Sequence, residues 1–155
     1  MDFDQAFERV IGHEGGYSND PADPGGETMY GVSKRAYPHE DIAGMTLERA
    51  KAIYLHDYWG PAGCDALPDG IKFHVFDLAV NSGVATAIKL LQRAVGETTD
   101  GILGPRTLTA ATSMPAPRLV ARLSAQRLAL MAGLPNWPRF GRGWVLRMVD
   151  NLMEA

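Results

Sequence analysis

The chain has 155 residues, 46% apolar and 21% charged, which is the composition of an ordinary folded domain long enough to bury a core without staples. Its formal charge of −3 argues against a general nucleic-acid binder, and its single cysteine, Cys64, excludes an intramolecular disulfide framework or a thiolate zinc cluster. No apolar run reaches the roughly 18–20 residues of a membrane span. Charge is unevenly placed: residues 1–100 hold 8 Lys/Arg and 16 Asp/Glu, whereas residues 101–155 hold 7 Arg and 2 acids. That basic end reads either as a solvated helix surface or as a face that meets a polyanion such as a bacterial envelope. The N-terminus, MDFDQAFERV, lacks the basic and apolar regions of a signal peptide, so synthesis in the cytoplasm and export by another route are expected.

The first predicted element is a helix from about Phe3 to Glu14, with Asp2 as its N-cap. At about 100° per residue Phe3, Phe7, Val10 and Ile11 form one apolar stripe. Glu14 falls in the middle of that stripe at its C-terminal end, before Gly15 and Gly16 stop the helix. Residues 15–31, GGYSNDPADPGGETMYG, carry the turn signals Asp20-Pro21 and Asp23-Pro24-Gly25-Gly26. The pieces around Tyr17 and Thr28–Val32 are expected to pair as a small hairpin, and Ser33 to cap a short helix before Pro38. A longer helix should start at Thr46 and run through LERAKAIYLHDY to Gly60-Pro61.

From Asp69, the segment GIKFHVFDLAVNS is apolar around most of its circumference, as a buried central helix would be. His74, Asp77 and Asn81, spaced i, i+3, i+7, make its one polar line, which reads equally as a cleft floor or as a solvent face. Gly83 ends the segment. Further helices are predicted at about 84–95 and, after the loop ETTDGILGP, at about 105–113. Pro115 and Pro117 precede the helical RLVARLSAQRLALMAGL, and Pro135 and Pro138 break the chain again. The last helix places Trp144, Val145, Met148, Val149, Leu152 and Met153 on one stripe. The expected fold class is mainly α with one short β-hairpin, a single domain over 1–155.

Glu14 is the residue most suggestive of chemistry. A carboxyl on an apolar stripe is favoured in its protonated form by desolvation and by the negative end of the helix dipole, as a general acid requires. The competing reading is a glutamate at a fraying helix end that reaches solvent. Asp20, Asp23 and Thr28 follow on a turn-rich segment able to fold back over the helix end, and two carboxyls facing a gap are the equipment of glycoside hydrolysis. Asp20 and Asp23 are equally suited to Asx-turns before proline. His13-Glu14 opens like a zinc-protease motif, but position 17 is Tyr, and the four histidines have no metal-ligand spacing. Cys64 stands in a Gly-Cys-Asp context with no nucleophile signature.

The run His13-Glu14-Gly15-Gly16-Tyr17-Ser18-Asn19-Asp20-Pro21-Ala22-Asp23-Pro24-Gly25-Gly26, continued by Thr28-Met29-Tyr30-Gly31-Val32-Ser33, resembles the EGGY segment of glycoside hydrolase family 108. Tyr58-Trp59, Phe76-Asp77 with Asn81-Ser82-Gly83, Leu91-Gln92 with Asp100-Gly101, Gly104 and Thr107, and Phe140-Gly141-Arg142-Gly143-Trp144 also look like family positions. The LQ…DG portion is similar to small helical peptidoglycan-binding modules. The resemblance implies a lysozyme-like helical domain with a catalytic half over 1–83 and a peptidoglycan-binding-like half over 84–155. It implies a muramidase, of the kind found in phage endolysins and secretion-associated lytic enzymes. The expected reaction is cleavage of the β-1,4 bond between N-acetylmuramic acid and N-acetylglucosamine in bacterial peptidoglycan.

By that resemblance the catalytic glutamate falls on Glu14, and Glu14, Asp23 and Thr28 look like the Glu-Asp-Thr trio of phage-type lysozymes. Thr28 sits one residue nearer than in the commonest phage spacing, and Glu27 adds a further acid that competes with Asp20 and Asp23 for the second carboxylate role. Tyr17, Asp20, Tyr30, Tyr58, Trp59, Asp77 and Asn81 are the expected substrate contacts, the aromatic ones as flat surfaces for sugar rings. No cofactor or metal is implied. Expected partners are peptidoglycan and, through the C-terminal arginines, an anionic envelope; no nucleic acid is expected, and a monomer is the default. The alternatives are a non-catalytic peptidoglycan-binding protein, a lytic transglycosylase on the same scaffold, and a wall peptidase or amidase using Cys64 or zinc.

Overall fold

The computed structural model describes residues 1–12, 16–19 and 25–153, so Glu14, Asp20 and Asp23 lie outside the described residues. The chain divides into two compact units, Asp2–Asp57 and Tyr58–Ala155, the latter joined by Met1.

In the first unit, α1 spans Phe3–Ile11. Asp2 caps it as expected: its Oδ1 accepts from the Gln5 amide at 2.9 Å, while Gln5 Oε1 accepts from the Asp2 amide at 3.1 Å. This reciprocal capping box satisfies two helix-end donors at once. Ala6, Phe7 and Val10 are buried, and the Phe7 ring meets Tyr54 edge-on at 5.3 Å. Helix α2 covers Leu47–Tyr54 with Thr46 as N-cap, its Oγ1 accepting from the Arg49 amide.

The expected straight run to Gly60 is replaced after Tyr54 by a π-helical turn, Leu55–Trp59. Tyr54 and Trp59 are both buried, and their separation of five residues is the repeat of that wider turn. An α-helix would set them on different faces.

The hairpin closes on itself: β1 (Thr28–Met29) pairs antiparallel with β2 (Val32–Ser33). Ser18 adds an isolated bridge to Thr28, so the segment after Tyr17 contributes a single extra rung. Tyr30 and Gly31 form the turn with φ of 49° and 75°. Two positive φ values make a turn whose twist matches the strands. Gly31 has a second reason to be glycine, since a Cβ there would collide with the Tyr54 hydroxyl. Ser33 caps only a turn, its Oγ accepting from the Ala36 amide, and no helix follows it.

In the second unit, α3 (Asp69–Ser82) is central, with Ile71 and every residue from Phe73 to Ala79 buried. Gly83, at φ 86° and ψ 150°, turns the chain directly into α4 (Val84–Val95). Helices α5 (Pro105–Ser113) and α6 (Ala116–Ala132) follow. Helix α3 packs on α4 and α6, α4 on α5 and α6, and α6 on α7 (Trp137–Met153). Pro138 lies inside the first turn of α7 and not before it, where a missing N–H costs nothing.

The α7 stripe read from the sequence is corrected by the structure. Met148 is buried, but Val149, Leu152 and Met153 are exposed, and the inward face runs along Gly141, Met148 and Asn151. No helix among the described residues is long and apolar enough to cross a membrane.

Candidate active site

Of the residues assigned to the catalytic trio, Thr28 is described. It opens β1, exchanges two backbone hydrogen bonds with Ser18 (2.9 and 2.8 Å), and its hydroxyl donates to the Gly26 carbonyl at 3.2 Å. The bridge closes the base of the segment 19–27, which carries Asp20 and Asp23 in the sequence. Beside it, the Tyr17 hydroxyl donates to Glu27 Oε1 at 2.6 Å. That bond to a carboxylate pushes the Tyr17 hydroxyl above its ordinary pKa. The pairing of Tyr17 with Glu27 was not legible in the sequence, where Glu27 stood as a rival to Asp20 and Asp23 for the second carboxylate role.

Tyr17 is 48% exposed, so its ring is open to a ligand. Tyr30 is half-buried, in the left-handed conformation, and its carbonyl accepts from the Tyr54 hydroxyl at 3.2 Å. A tyrosine held at positive φ is uncommon, and such positions concentrate where a loop must aim a side chain.

The expected contacts in the second unit fare differently. Tyr58 is half-buried and Asn81 exposed. Trp59 is 1% exposed; its indole N–H donates to Asp65 at 2.9 Å and its ring packs edge-on against Phe76 at 5.4 Å. It is part of the core and presents no flat face to a sugar.

Asp77 is fully buried, and its carboxylate is surrounded by donors. Oδ2 accepts from Arg127 Nη1 at 2.5 Å and Asn151 Nδ2 at 2.9 Å; Oδ1 accepts from Arg147 Nε and Nη2 at 2.9 and 2.7 Å and from Asn81 Nδ2 at 3.3 Å. Burial alone would raise its pKa, but the two guanidinium groups outweigh burial and hold the carboxyl below its usual range. The polar line on α3 is therefore neither a cleft floor nor a solvent face at Asp77. It is an internal anchor for α6 and α7, and no signal local to α3 pointed to Arg127, Arg147 or Asn151.

The LQ…DG stretch has a similar explanation. Gln92 is buried, and its Nε2 donates to Asp100 Oδ1 (2.6 Å) and the Ile102 carbonyl (3.0 Å), while its Oε1 accepts from the Gly101 amide (2.9 Å). Asp100 in turn accepts from the Ile102 amide. These residues staple the 97–104 loop to α4. Cys64 is buried, and desolvation pushes its thiol up to about 12, which leaves no thiolate near neutral pH. Among the described residues no group of three or more His, Cys, Asp and Glu is placed to hold a metal.

A mainly helical fold with a short hairpin following its first helix is that of a lysozyme-like protein. The solved structure of SagA from Brucella abortus is similar along almost the whole length, with a TM-score of 0.87 and 36% identity over 96% of this chain and 90% of that one. A family model described as glycosyl hydrolase 108 matches residues 7–83, and one described as a predicted peptidoglycan domain matches residues 86–149. The chain belongs to the glycosyl hydrolase 108 family, and it is a peptidoglycan hydrolase with peptidoglycan as its substrate partner. No curated protein matches it.

Proposed function

We propose that this chain hydrolyses the β-1,4 bond between N-acetylmuramic acid and N-acetylglucosamine, with Glu14 as general acid. The observation that carries the reading is the match of the glycosidase family model to residues 7–83. That stretch holds the α1 stripe, buried at Phe7 and Val10, whose helical spacing leads to Glu14. Glu14, kept protonated, donates to the glycosidic oxygen as an oxocarbenium-like transition state forms. Asp23, or Asp20 in its place, stabilises the developing cation or orients water, and Thr28 positions that water. The exposed Tyr17 ring and Tyr30 on the hairpin turn supply apolar surface for the sugar. The enzyme reaches the wall after release through a membrane lesion or another export route.

Mass spectrometry of fragments released from purified peptidoglycan by the wild type and by Glu14→Gln tests the reading. Reducing muramic-acid ends from the wild type alone are expected. Anhydro-muramic ends would make the enzyme a lytic transglycosylase, cut peptides would overturn the site, and full activity of Glu14→Gln would remove Glu14 from the mechanism.

A further inference from the structure

Arg147 and Asn151 are held to Asp77, and Met148 is buried, which fixes the rotation of α7 about its axis. The opposite face is exposed along its length, at Arg139, Arg142, Gly143, Leu146, Val149, Asp150 and Met153. With Leu146 at zero and about 100° per residue, Arg139, Gly143 and Asp150 fall on one flank, at roughly 20°, 60° and 40°. Arg142, Val149 and Met153 fall on the other, at roughly −40°, −60° and −20°. Leu146, Val149 and Met153 are 52%, 46% and 82% exposed, a continuous aliphatic row and not the scattered apolar residues of an ordinary surface. The charges are divided about that row: two arginines precede Leu146 and one aspartate follows it.

Two further features mark this face. Gly143 sits inside the helix, where glycine is a poor former, yet a Cβ there would meet nothing within 4 Å. Gly141, by contrast, is required by the chain itself, because a Cβ would strike the Trp137 ring. The flank that carries Arg142 also holds an open hollow of about 350 Å³, lined by Trp137, Pro138, Gly141, Arg142, Val145 and Leu146.

We propose that this face pairs with the same face of a second copy of the chain, antiparallel, about a twofold axis that crosses α7 at Leu146. Leu146 then packs on the partner's Leu146. Arg142 and Asp150 lie equally far from the axis, so Arg142 comes level with the partner's Asp150, and Arg139 reaches the same carboxylate from the next turn. Gly143, on the flank of Asp150, leaves room for that carboxylate between the helices. Arg139 and Met153 are likewise equidistant, which brings the partner's Met153 to the flank of the hollow, level with its neighbour Pro138, and the hollow receives it. A twofold axis makes each of these contacts twice. A parallel pairing would set arginine against arginine and aspartate against aspartate. An anionic surface would meet Asp150 with like charge, whereas an antiparallel copy pairs it.

A contact of one helix from each copy is small, so a dimer with Kd on the order of micromolar is expected. Sedimentation velocity of the full chain, at concentrations on both sides of that range, should show the mass rising from one chain to two. Leu146→Lys places two like charges on the axis and should weaken the dimer by about tenfold or more, with circular dichroism unchanged. Arg139→Asp/Arg142→Asp leaves only acids on the face, and Asp150→Arg leaves only arginines. Each should be monomeric alone, and a mixture of the two should form a heterodimer. Leu146→Cys should form a disulfide-linked dimer on oxidation with diamide, Cys64 being buried. Met153→Cys should not, because the axis sets its two copies roughly 21 Å apart along the helices. A single-chain mass at every concentration, a dimer untouched by Leu146→Lys, no heterodimer from the mixture, or ready cross-linking through Met153→Cys would each overturn the proposal. A chain that stays single while Leu146→Lys weakens its sedimentation with purified peptidoglycan or anionic vesicles would also overturn it, and would give the face to that partner.

Discussion

Replacing Asp77 by Asn keeps the volume of the side chain and removes its charge. In the wild type a fully buried carboxylate receives hydrogen bonds from two guanidinium groups and two amides, all at 2.5–3.3 Å. The substitution leaves Arg127, itself 7% exposed, without a counter-charge, and its Nε already has no hydrogen-bond partner among the described residues. Breaking a buried ion pair by removing one side costs about 3–5 kcal/mol, because the remaining charge stays desolvated. For a chain of this size that corresponds to a loss of roughly 6–20 °C in Tm.

Urea unfolding followed by far-UV circular dichroism at pH 7 measures the difference directly. The pH dependence gives a second reading. The Asp77 carboxyl is held below its unfolded value, so its contribution is fully present above the unfolded pKa of about 3.9 and is lost as pH falls toward the folded one. The gap between wild type and Asp77→Asn should therefore narrow as pH falls below about 4. A variant within about 1 kcal/mol of wild type at pH 7, with no narrowing in acid, would refute the argument that this cluster holds α3, α6 and α7 together.

Three further outcomes are expected. Gly31→Ala forces a Cβ into the Tyr54 hydroxyl at a φ of 75°, and should cost about 1–3 kcal/mol in the same unfolding assay; an unchanged midpoint would mean that the turn relaxes freely. Cys64, buried with its thiol pKa near 12, should react with a thiol reagent at pH 8 only as fast as the chain opens, so rapid labelling of the native protein would contradict its burial. Tyr17→Phe keeps the ring and loses the bond to Glu27, whereas Tyr17→Ala loses both. If the ring carries sugar, KM should be near wild type in the first and severalfold higher in the second, and identical KM values in all three proteins would end that role.

What could be read from the sequence was what is encoded locally. The Asp2 and Thr46 caps, the start of α3 at Asp69 and its stop at Gly83, and the bounds of α4 and α5 all follow from capping residues, glycines and prolines within one turn of the event. Glu14 stood out by helical phase and by family resemblance, and it lies outside the described residues. Asp77 was legible only as part of a polar line on an otherwise apolar helix, read equally as a cleft floor or a solvent face, and not as a buried anchor. Its partners stand 50, 70 and 74 positions away, beyond the reach of any periodicity. The same long-range pairing explains the error on α7. Its apolar residues pointed to one inward face, but Arg147 and Asn151 must turn toward Asp77, and that requirement rotates Val149 and Met153 outward. The π-helical turn escaped notice because no residue from Leu55 to Trp59 breaks an α-helical pattern.

The Asp77 cluster also constrains how such enzymes can be recombined. The two family models meet between residues 83 and 86, which makes the α3–α4 junction look like a natural crossover for chimeras. A crossover there would take the carboxylate from one parent and Arg127, Arg147 and Asn151 from the other, so viable hybrids need parents that share the whole constellation. A joint between Asp57 and Tyr58 inherits acid and bases together. Exchange of wall-binding segments among relatives should therefore carry α3 along as a passenger.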